Sequence, residues 1–276
     1  MVLFQQAHHL RRYGVEGLLT VRIAGDGAHR IEVVKGVGGK FLWPFFTGGR
    51  SAHQQSQRGE IYQCFAKYLV SQGLAYPCFM TEEEIAAVRE EQEAKKVNPG
   101  IYGEYAKCRD LSFEEVVDRI SDGQEYVIRF KSNGSLENHF TVIDAIRGEL
   151  TMPENDQDVV ILKKTGIPTY HFAHVVDDHL MRTTHVVRGE EWLSSLPIHV
   201  ALFNALGWEL PTYCHTTVLM KMDGETKRKL SKRKDPELSL DFYRQEGYMP
   251  EAIREYLLTV LNSNFEEWRI ENPETS

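Results

Sequence analysis

Asp158-Val159-Val160-Ile161-Leu162, a helical pattern over residues 170–180, and Thr184-His185-Val186-Val187-Arg188 together decide the fold. The first run is apolar throughout after its aspartate. Such a run reads as a strand buried on both faces of a parallel sheet. The run from Thr184 reads as a second buried strand. Gly189-Glu190-Glu191-Trp192 then opens a long helix toward Leu206, with acids in the first turn where the helix dipole favours them. Strand, helix, strand, helix at this spacing predicts a parallel α/β half-sheet.

Ligands of such sheets bind at the carboxyl ends of the strands. Tyr170 lies just past the end of the first strand and Arg188 ends the second. An arginine there is suited to bidentate capture of a carboxylate. Trp192 either walls the same pocket or belongs to the core. His171, His174 and Asp178 share one helix face at spacings of three and four. Phe172, Val175, Val176 and Leu180 form the apolar stripe opposite. That face reads as the polar lining of a cleft rather than as a metal site.

Upstream, residues 58–72 carry Ile61, Phe65, Tyr68 and Leu69 at helical spacing. Thr81 with Glu84 makes a capping box for a helix to about Lys95, and Ser112 with Glu115 makes another for a helix to about Ser121. Tyr126–Phe130 reads as a strand with His139–Asp144 as its partner. Residues 75–155 therefore read as a small α+β insert. Residues 1–50 lack helical periodicity. Gly36-Val37-Gly38-Gly39-Lys40 has the wrong spacing for a phosphate loop and no following Ser or Thr. Downstream, helices are predicted near 239–246 and 250–262.

The chain of 276 residues carries a formal net charge of −8 with 42% apolar and 26% charged residues, values ordinary for a globular protein. Against that acidity, Thr226-Lys-Arg-Lys-Leu-Ser-Lys-Arg-Lys234 holds six cations in nine residues. Concentrated positive charge suggests a polyanion site. Asp223-Gly224 and Asp235-Pro236 bracket the run, so it reads as a mobile loop, either a solvated basic turn or a cover over nucleotide phosphates. No stretch is apolar and long enough to span a membrane. No secretory signal is read at the N-terminus. Cys64, Cys78, Cys108 and Cys214 form no CxxC pair, and a reduced, cytoplasmic setting is expected. Cys78 and Cys108 alone are too few for a closed zinc site, with Met80 where a CxC pair needs its second thiol.

Three segments carry a family resemblance. The run Asp158–Met181, the run His185-Val-Val-Arg-Gly-Glu-Glu-Trp-Leu-Ser-Ser195 and the run Lys229-Leu-Ser-Lys-Arg-Lys234 are similar to bacterial glutamyl-tRNA synthetases, which are class I aminoacyl-tRNA synthetases. Gln55-Ser56-Gln57-Arg58 with Ile61-Tyr62, and Cys108-Arg109-Asp110-Leu111-Ser112, fit the same family. The resemblance runs from about residue 54 to the C-terminus. It implies an α/β fold: the second half of a split Rossmann-type class I synthetase catalytic domain, with an α+β acceptor-stem insert. The implied organisation is an atypical segment over 1–53, a lead-in helix over 54–74, the acceptor-stem insert over 75–156, the second catalytic half over 157–237, and the start of a helical stem-contact module over 238–276.

The implied reaction is ATP-dependent activation of glutamate and transfer of the glutamyl group to tRNA. The implied partners are glutamate, ATP with Mg2+, and the tRNA acceptor stem, with no structural zinc and a monomeric state. Lys229-Leu230-Ser231-Lys232-Arg233 aligns with the family's Lys-Met-Ser-Lys-Ser signature. Lys232 and Lys229 are then the catalytic lysines on the ATP phosphates, with Leu230, Ser231 and Arg233 completing the ATP loop. Tyr170, His174, Arg188 and Trp192 fall in the glutamate and adenosine pocket, Arg188 toward the substrate side-chain carboxylate. His174 stands where many members have Asn, and Arg182 where the family usually has Gly.

The family's opening strand, its Pro-Ser-Pro-Thr-Gly segment and its His-Ile-Gly-His element have no counterpart in this sequence. Family members also continue into an anticodon-binding helical region. The expectation is a truncated or frameshifted synthetase gene whose product is weakly active or inactive. Without the first half of the sheet, the strands beginning at Asp158 and Thr184 are expected at open edges unless residues 1–50 cover them. A non-catalytic tRNA- or ATP-binding fragment and a tRNA-modifying glutamyl-transfer paralogue remain the alternatives.

Overall fold

A computed structural model describes residues 20–23, 31–35, 39–41, 55, 58–231, 233–261 and 264–273. The glycine-rich Gly36–Gly38 and Lys232 lie outside them. Strands β1 (Thr20–Ile23), β2 (Ile31–Lys35) and β3 (Gly39–Phe41) form an antiparallel sheet.

Helix α1 (Gly59–Ser71) buries Tyr62, Phe65, Ala66 and Leu69 on its inner face; of the expected stripe Phe65 and Leu69 are buried, Ile61 is half-buried and Tyr68 is exposed. It leads into β4 (Ala75–Cys78). Both capping boxes are present. Thr81 and Glu84 start α2 (Glu82–Lys95), and Ser112 and Glu115 start α3 (Phe113–Ser121). In each, a hydroxyl and a carboxylate satisfy amides that the first turn leaves unpaired.

Strands β5 (Val127–Phe130), β6 (His139–Asp144), β7 (Gly148–Pro153) and β8 (Val160–Leu162) correct two expected pairings. β5 does not pair with β6. It lies between β4 and β8, antiparallel to both. β6 pairs instead with β7 across the turn Ala145–Arg147. The Asp144 carboxylate shapes that turn, accepting from the Ile146 and Arg147 amides at 2.9 Å each. Such an Asx turn favours the nearer partner over one across the longer Ser132–Asn138 connection.

β8 is not in a parallel sheet. Ile161 and Leu162 are buried with Phe130 in the main core, and a strand covered on both faces is apolar whichever way its neighbours run. Helix α4 (Tyr170–Leu180) follows β8, and the chain then moves to another sheet through β9 (His185–Gly189). A 3-10 segment (Glu190–Ser195) precedes α5 (Leu196–Leu206), so the expected single helix begins as a tighter coil. Pro197 sits in the first turn of α5, where a missing N–H costs no hydrogen bond.

The parallel pairing is that of β9 with β10 (Thr212–Thr216), with α5 between them, and β10 also pairs in parallel with β6. The order is β7-β6-β10-β9, and it draws strands from the predicted insert and the predicted catalytic half into one sheet. Among the described residues, β8 and β9 each lie at a sheet edge.

The basic run is not a free loop throughout. β11 (Met220–Asp223) and β12 (Thr226–Lys229) form an antiparallel hairpin, and the turn after it is held by buried Asp235. Helices α6 (Leu240–Gln245), α7 (Pro250–Leu261) and α8 (Phe265–Glu271) follow.

Candidate functional site

The site forms where β9, β10 and the end of β6 meet α4, the 3-10 segment and α5. β10 runs beside β9 with His215 opposite Arg188 and Tyr213 opposite both Val186 and Asp144. Tyr213 packs with Leu196 and Val200 of α5, which fixes this corner of the sheet under the helices.

Arg188 is half-buried and gripped on three sides. Its Nε donates to His215 Nε2 at 2.9 Å, and its Nη1 lies 3.1 Å from His199 Nδ1. Its guanidinium carbon sits 4.8 Å from the Tyr213 ring centroid, within cation–π range. Its Nη2 is buried and has no hydrogen-bond partner among the described residues. An unfilled buried donor costs free energy until an acceptor arrives.

An arginine has donors only, so its acceptors' tautomers follow from the geometry. His215 takes the Arg188 proton on Nε2 and therefore carries its own on Nδ1, 2.7 Å from Asp144 Oδ2. His199 accepts on Nδ1 and donates from Nε2 to His171 Nδ1 at 3.0 Å. Burial is the main cause that pushes His171, His199 and His215 below the usual imidazole range, and the Arg188 charge adds to it. Burial raises the Asp144 carboxyl, but hydrogen bonds from Arg147, His215 and Ile146 outweigh it and hold the group below its usual value.

Tyr170 and Trp192 face each other with ring centroids 4.7 Å apart, and His174 stacks 6.0 Å from Tyr170. His174 is held by Asp178 at 2.7 Å and lies 3.2 Å from the Tyr213 hydroxyl. The four residues read from sequence for the pocket, Tyr170, His174, Arg188 and Trp192, are thus joined through direct contacts or shared partners. Among the described residues no group of three or more His, Cys, Asp or Glu is placed to hold a metal ion. His171 Nδ1 meets His199, and the two ring nitrogens of His174 meet Asp178 and Tyr213.

The basic hairpin reaches this pocket. Lys229 forms an ion pair with Glu191, the residue before Trp192. Arg228 turns inward, placing Nη1 and Nη2 2.7 and 2.8 Å from the two oxygens of Asp235. Asp235 also accepts the Ser231 amide at 2.7 Å. The Arg228 hydrogen bonds hold the Asp235 carboxyl well below the usual carboxylate range. Leu230 and Ser231 are half-buried and Arg233 is exposed.

Residues 28–267 match the model of the catalytic domain of class I tRNA synthetases (E and Q). The chain belongs to that family. Among similar proteins, the glutamate–tRNA ligase of Acetivibrio thermocellus is 62% identical over 229 residues, which are 83% of this chain and 42% of that protein. The glutamate–tRNA ligase of Sorangium cellulosum is 44% identical over 264 residues, 91% of this chain and 44% of that protein. A glutamate tRNA ligase from Elizabethkingia meningosepticum, solved in complex with its amino acid, superposes with a TM-score of 0.62 at 35% identity, covering 76% of this chain and 45% of that one. The chain therefore spans less than half the length of these relatives. The class I synthetases are ligases that use ATP as a substrate, and the mixed α/β fold described above is that of their catalytic domain.

Four residues of this cluster were not singled out from the sequence: Asp144, His199, Tyr213 and His215. Two of them left a faint signal. His199 is the single ionisable residue in the apolar run Leu196–Leu206, and His215 closes the mostly uncharged run Thr212–His215. A polar residue in a buried run needs a partner, but sequence does not say which.

Proposed function

We propose that this chain is a glutamate–tRNA ligase catalytic region. Glutamate's α-carboxylate attacks the α-phosphate of ATP, pyrophosphate leaves, and the glutamyl group passes to the terminal ribose of tRNA. The observation that carries this reading is the Nη2 of Arg188, unpartnered among the described residues, in a guanidinium whose neighbours His199 and Tyr213 also meet Tyr170 and His174. A guanidinium with one open donor edge suits a carboxylate, the side-chain group that sets glutamate apart from glutamine.

In this reading Tyr170, His174 and Trp192 line the glutamate and adenosine pocket. Lys229, Leu230, Ser231, Lys232 and Arg233 lie along the ATP phosphates, and Lys232 meets the charge that builds on the departing pyrophosphate. The Lys229–Glu191 pair supports a loop that closes from the Trp192 side. Mg2+ enters with ATP as part of the substrate.

Residues 54–74 and 157–237 make up the second half of a split nucleotide fold, 75–156 the acceptor-stem insert and 238–276 the start of a stem-contact module. The chain works as a cytoplasmic monomer. Weak exchange is expected of these 276 residues, which contain no His-Ile-Gly-His element.

Glutamate-dependent ATP–pyrophosphate exchange with tRNA present tests this. The expected result is exchange well below that of a full-length ligase, abolished by Lys232→Ala. Exchange that ignores glutamate, or that survives Lys232→Ala unchanged, overturns it. Binding of ATP and tRNA with no exchange at all would favour a non-catalytic fragment.

A further inference from the structure

Asp144, Arg188 and His215 come from three separate strands and meet in one buried line. Asp144 and His215 are almost wholly buried, at 1% and 0% exposure. The Asp144 carboxylate is saturated on the backbone side: Oδ1 accepts the Ile146 and Arg147 amides at 2.9 Å each, and Oδ2 accepts the His215 amide at 3.1 Å. What remains of Oδ2 faces His215 Nδ1 at 2.7 Å. The opposite nitrogen of that ring receives Arg188 Nε.

We propose that Asp144 and His215 are positioning residues: they aim the open Nη2 edge of Arg188 at a carboxylate-bearing substrate by locking His215 as an Nδ1-protonated acceptor. The inference rests on the reading of the Arg188 pocket given above and names two residues that serve it.

The argument is one of donor and acceptor matching. Arg188 Nε needs an acceptor, and a neutral imidazole offers one only on its unprotonated nitrogen. Only an anion at position 144 takes the Nδ1 proton while also taking three backbone amides. His199 performs the same service for Nη1, its own tautomer set by His171. The Tyr213 ring covers one face of the guanidinium. With Nε and Nη1 spoken for, the guanidinium has one orientation, and Nη2, which has no partner among the described residues, is left for a ligand. Fixing a charged group before the ligand arrives lowers the ordering cost of binding.

The replacement Asp144→Asn separates this role from a purely structural one. The amide oxygen of asparagine must serve Ile146 and Arg147, so its NH2 group faces His215 Nδ1. The imidazole then moves its proton to Nε2, which opposes the Arg188 Nε–H. In Asp144→Asn/His215→Gln, the glutamine carbonyl offers Arg188 an acceptor that does not depend on position 144.

Nitrogen-15 NMR of the histidine rings in the full chain reads the tautomer, and calorimetric titration with L-glutamate reads the grip. The expected results are an Nδ1-protonated His215 in the wild type and an Nε2-protonated one in Asp144→Asn. Glutamate affinity should fall by about tenfold or more in Asp144→Asn, the loss of one charge-assisted hydrogen bond, and return to within about threefold in the double variant. An Nε2-protonated His215 in the wild type overturns the inference without any variant. So does an unchanged affinity in Asp144→Asn, or a loss that the double variant fails to recover. If the wild type binds no glutamate, or Arg188→Gln binds it as well as the wild type, the pocket reading itself falls and the claim of a substrate role falls with it. The tautomer result distinguishes the two failures.

Discussion

Arg188 donates to His215 at 2.9 Å and so holds a buried imidazole in its neutral form. His171 and His199, in the same cluster, are also pushed below their ordinary value of 6.5, chiefly by burial. A histidine that refuses a proton in the folded state but accepts it in the unfolded state destabilises the fold once pH drops below its unfolded value. Facing the cluster, His174 and Arg188 oppose protonation of His171 and His199, while Arg188 and Arg147 oppose that of His215, which Asp144 favours only in part.

Urea midpoints should therefore be flat from about pH 8 to 7 and fall below about 6.5, each fully refused proton contributing about 1.4 kcal/mol per pH unit. His199→Gln should flatten the acid limb. A midpoint that rises on acidification from about pH 7 to 5.5 would contradict the neutral cluster.

Asp158 ties β8 to the segments upstream of it. It accepts from the Tyr76 hydroxyl and the Ser132 amide at 2.8 Å each, and pairs with Arg109 at 3.3 Å. Its own carbonyl accepts Arg129 Nη1 at 2.9 Å. Burial raises its carboxyl despite these partners. Asp158→Ala leaves two arginines and a tyrosine hydroxyl around an empty place, and should lower unfolding free energy by about 3–5 kcal/mol, read by urea denaturation. A loss under about 1 kcal/mol would show that the network is solvated and inexpensive.

Arg182 has φ +56°, the left-handed region, at the close of α4. The turn is a Schellman motif, with the Thr183 amide donating to the Asp178 carbonyl at 2.9 Å and the Arg182 amide to the His179 carbonyl at 3.1 Å. Glycine fits that position without a Cβ clash, which accounts for glycine in the resembling family. Arg182→Gly should raise stability by about 0.5–1 kcal/mol in thermal or urea unfolding, with glutamate binding unchanged. A destabilised variant would mean that the Arg182 side chain contributes more than its backbone costs.

Local signals were legible and long-range ones were not. Thr81 with Glu84 and Ser112 with Glu115 marked two helix starts because a capping box is complete within four residues. The α4 face with His171, His174 and Asp178 was legible from helical spacing, and Tyr170 from its place just past a strand end. The partners of β5 and β6 were not, since strand pairing is settled by the turn at Asp144 and by burial against Phe130 and Ile161. Arg188 was legible as an arginine at a strand end. The residues that aim it were not, because Asp144 and His215 lie 71 residues apart and meet only once β6 and β10 pair.

The account stands on Arg188 as the seat of the substrate's side-chain carboxylate. Calorimetric titration of the wild-type chain and of Arg188→Gln with L-glutamate and L-glutamine tests it most directly. The wild type should bind glutamate and discriminate against glutamine, while Arg188→Gln should lose at least about tenfold in glutamate affinity and most of that discrimination. Equal affinity of the two proteins for glutamate, or a wild type that prefers glutamine, would contradict it.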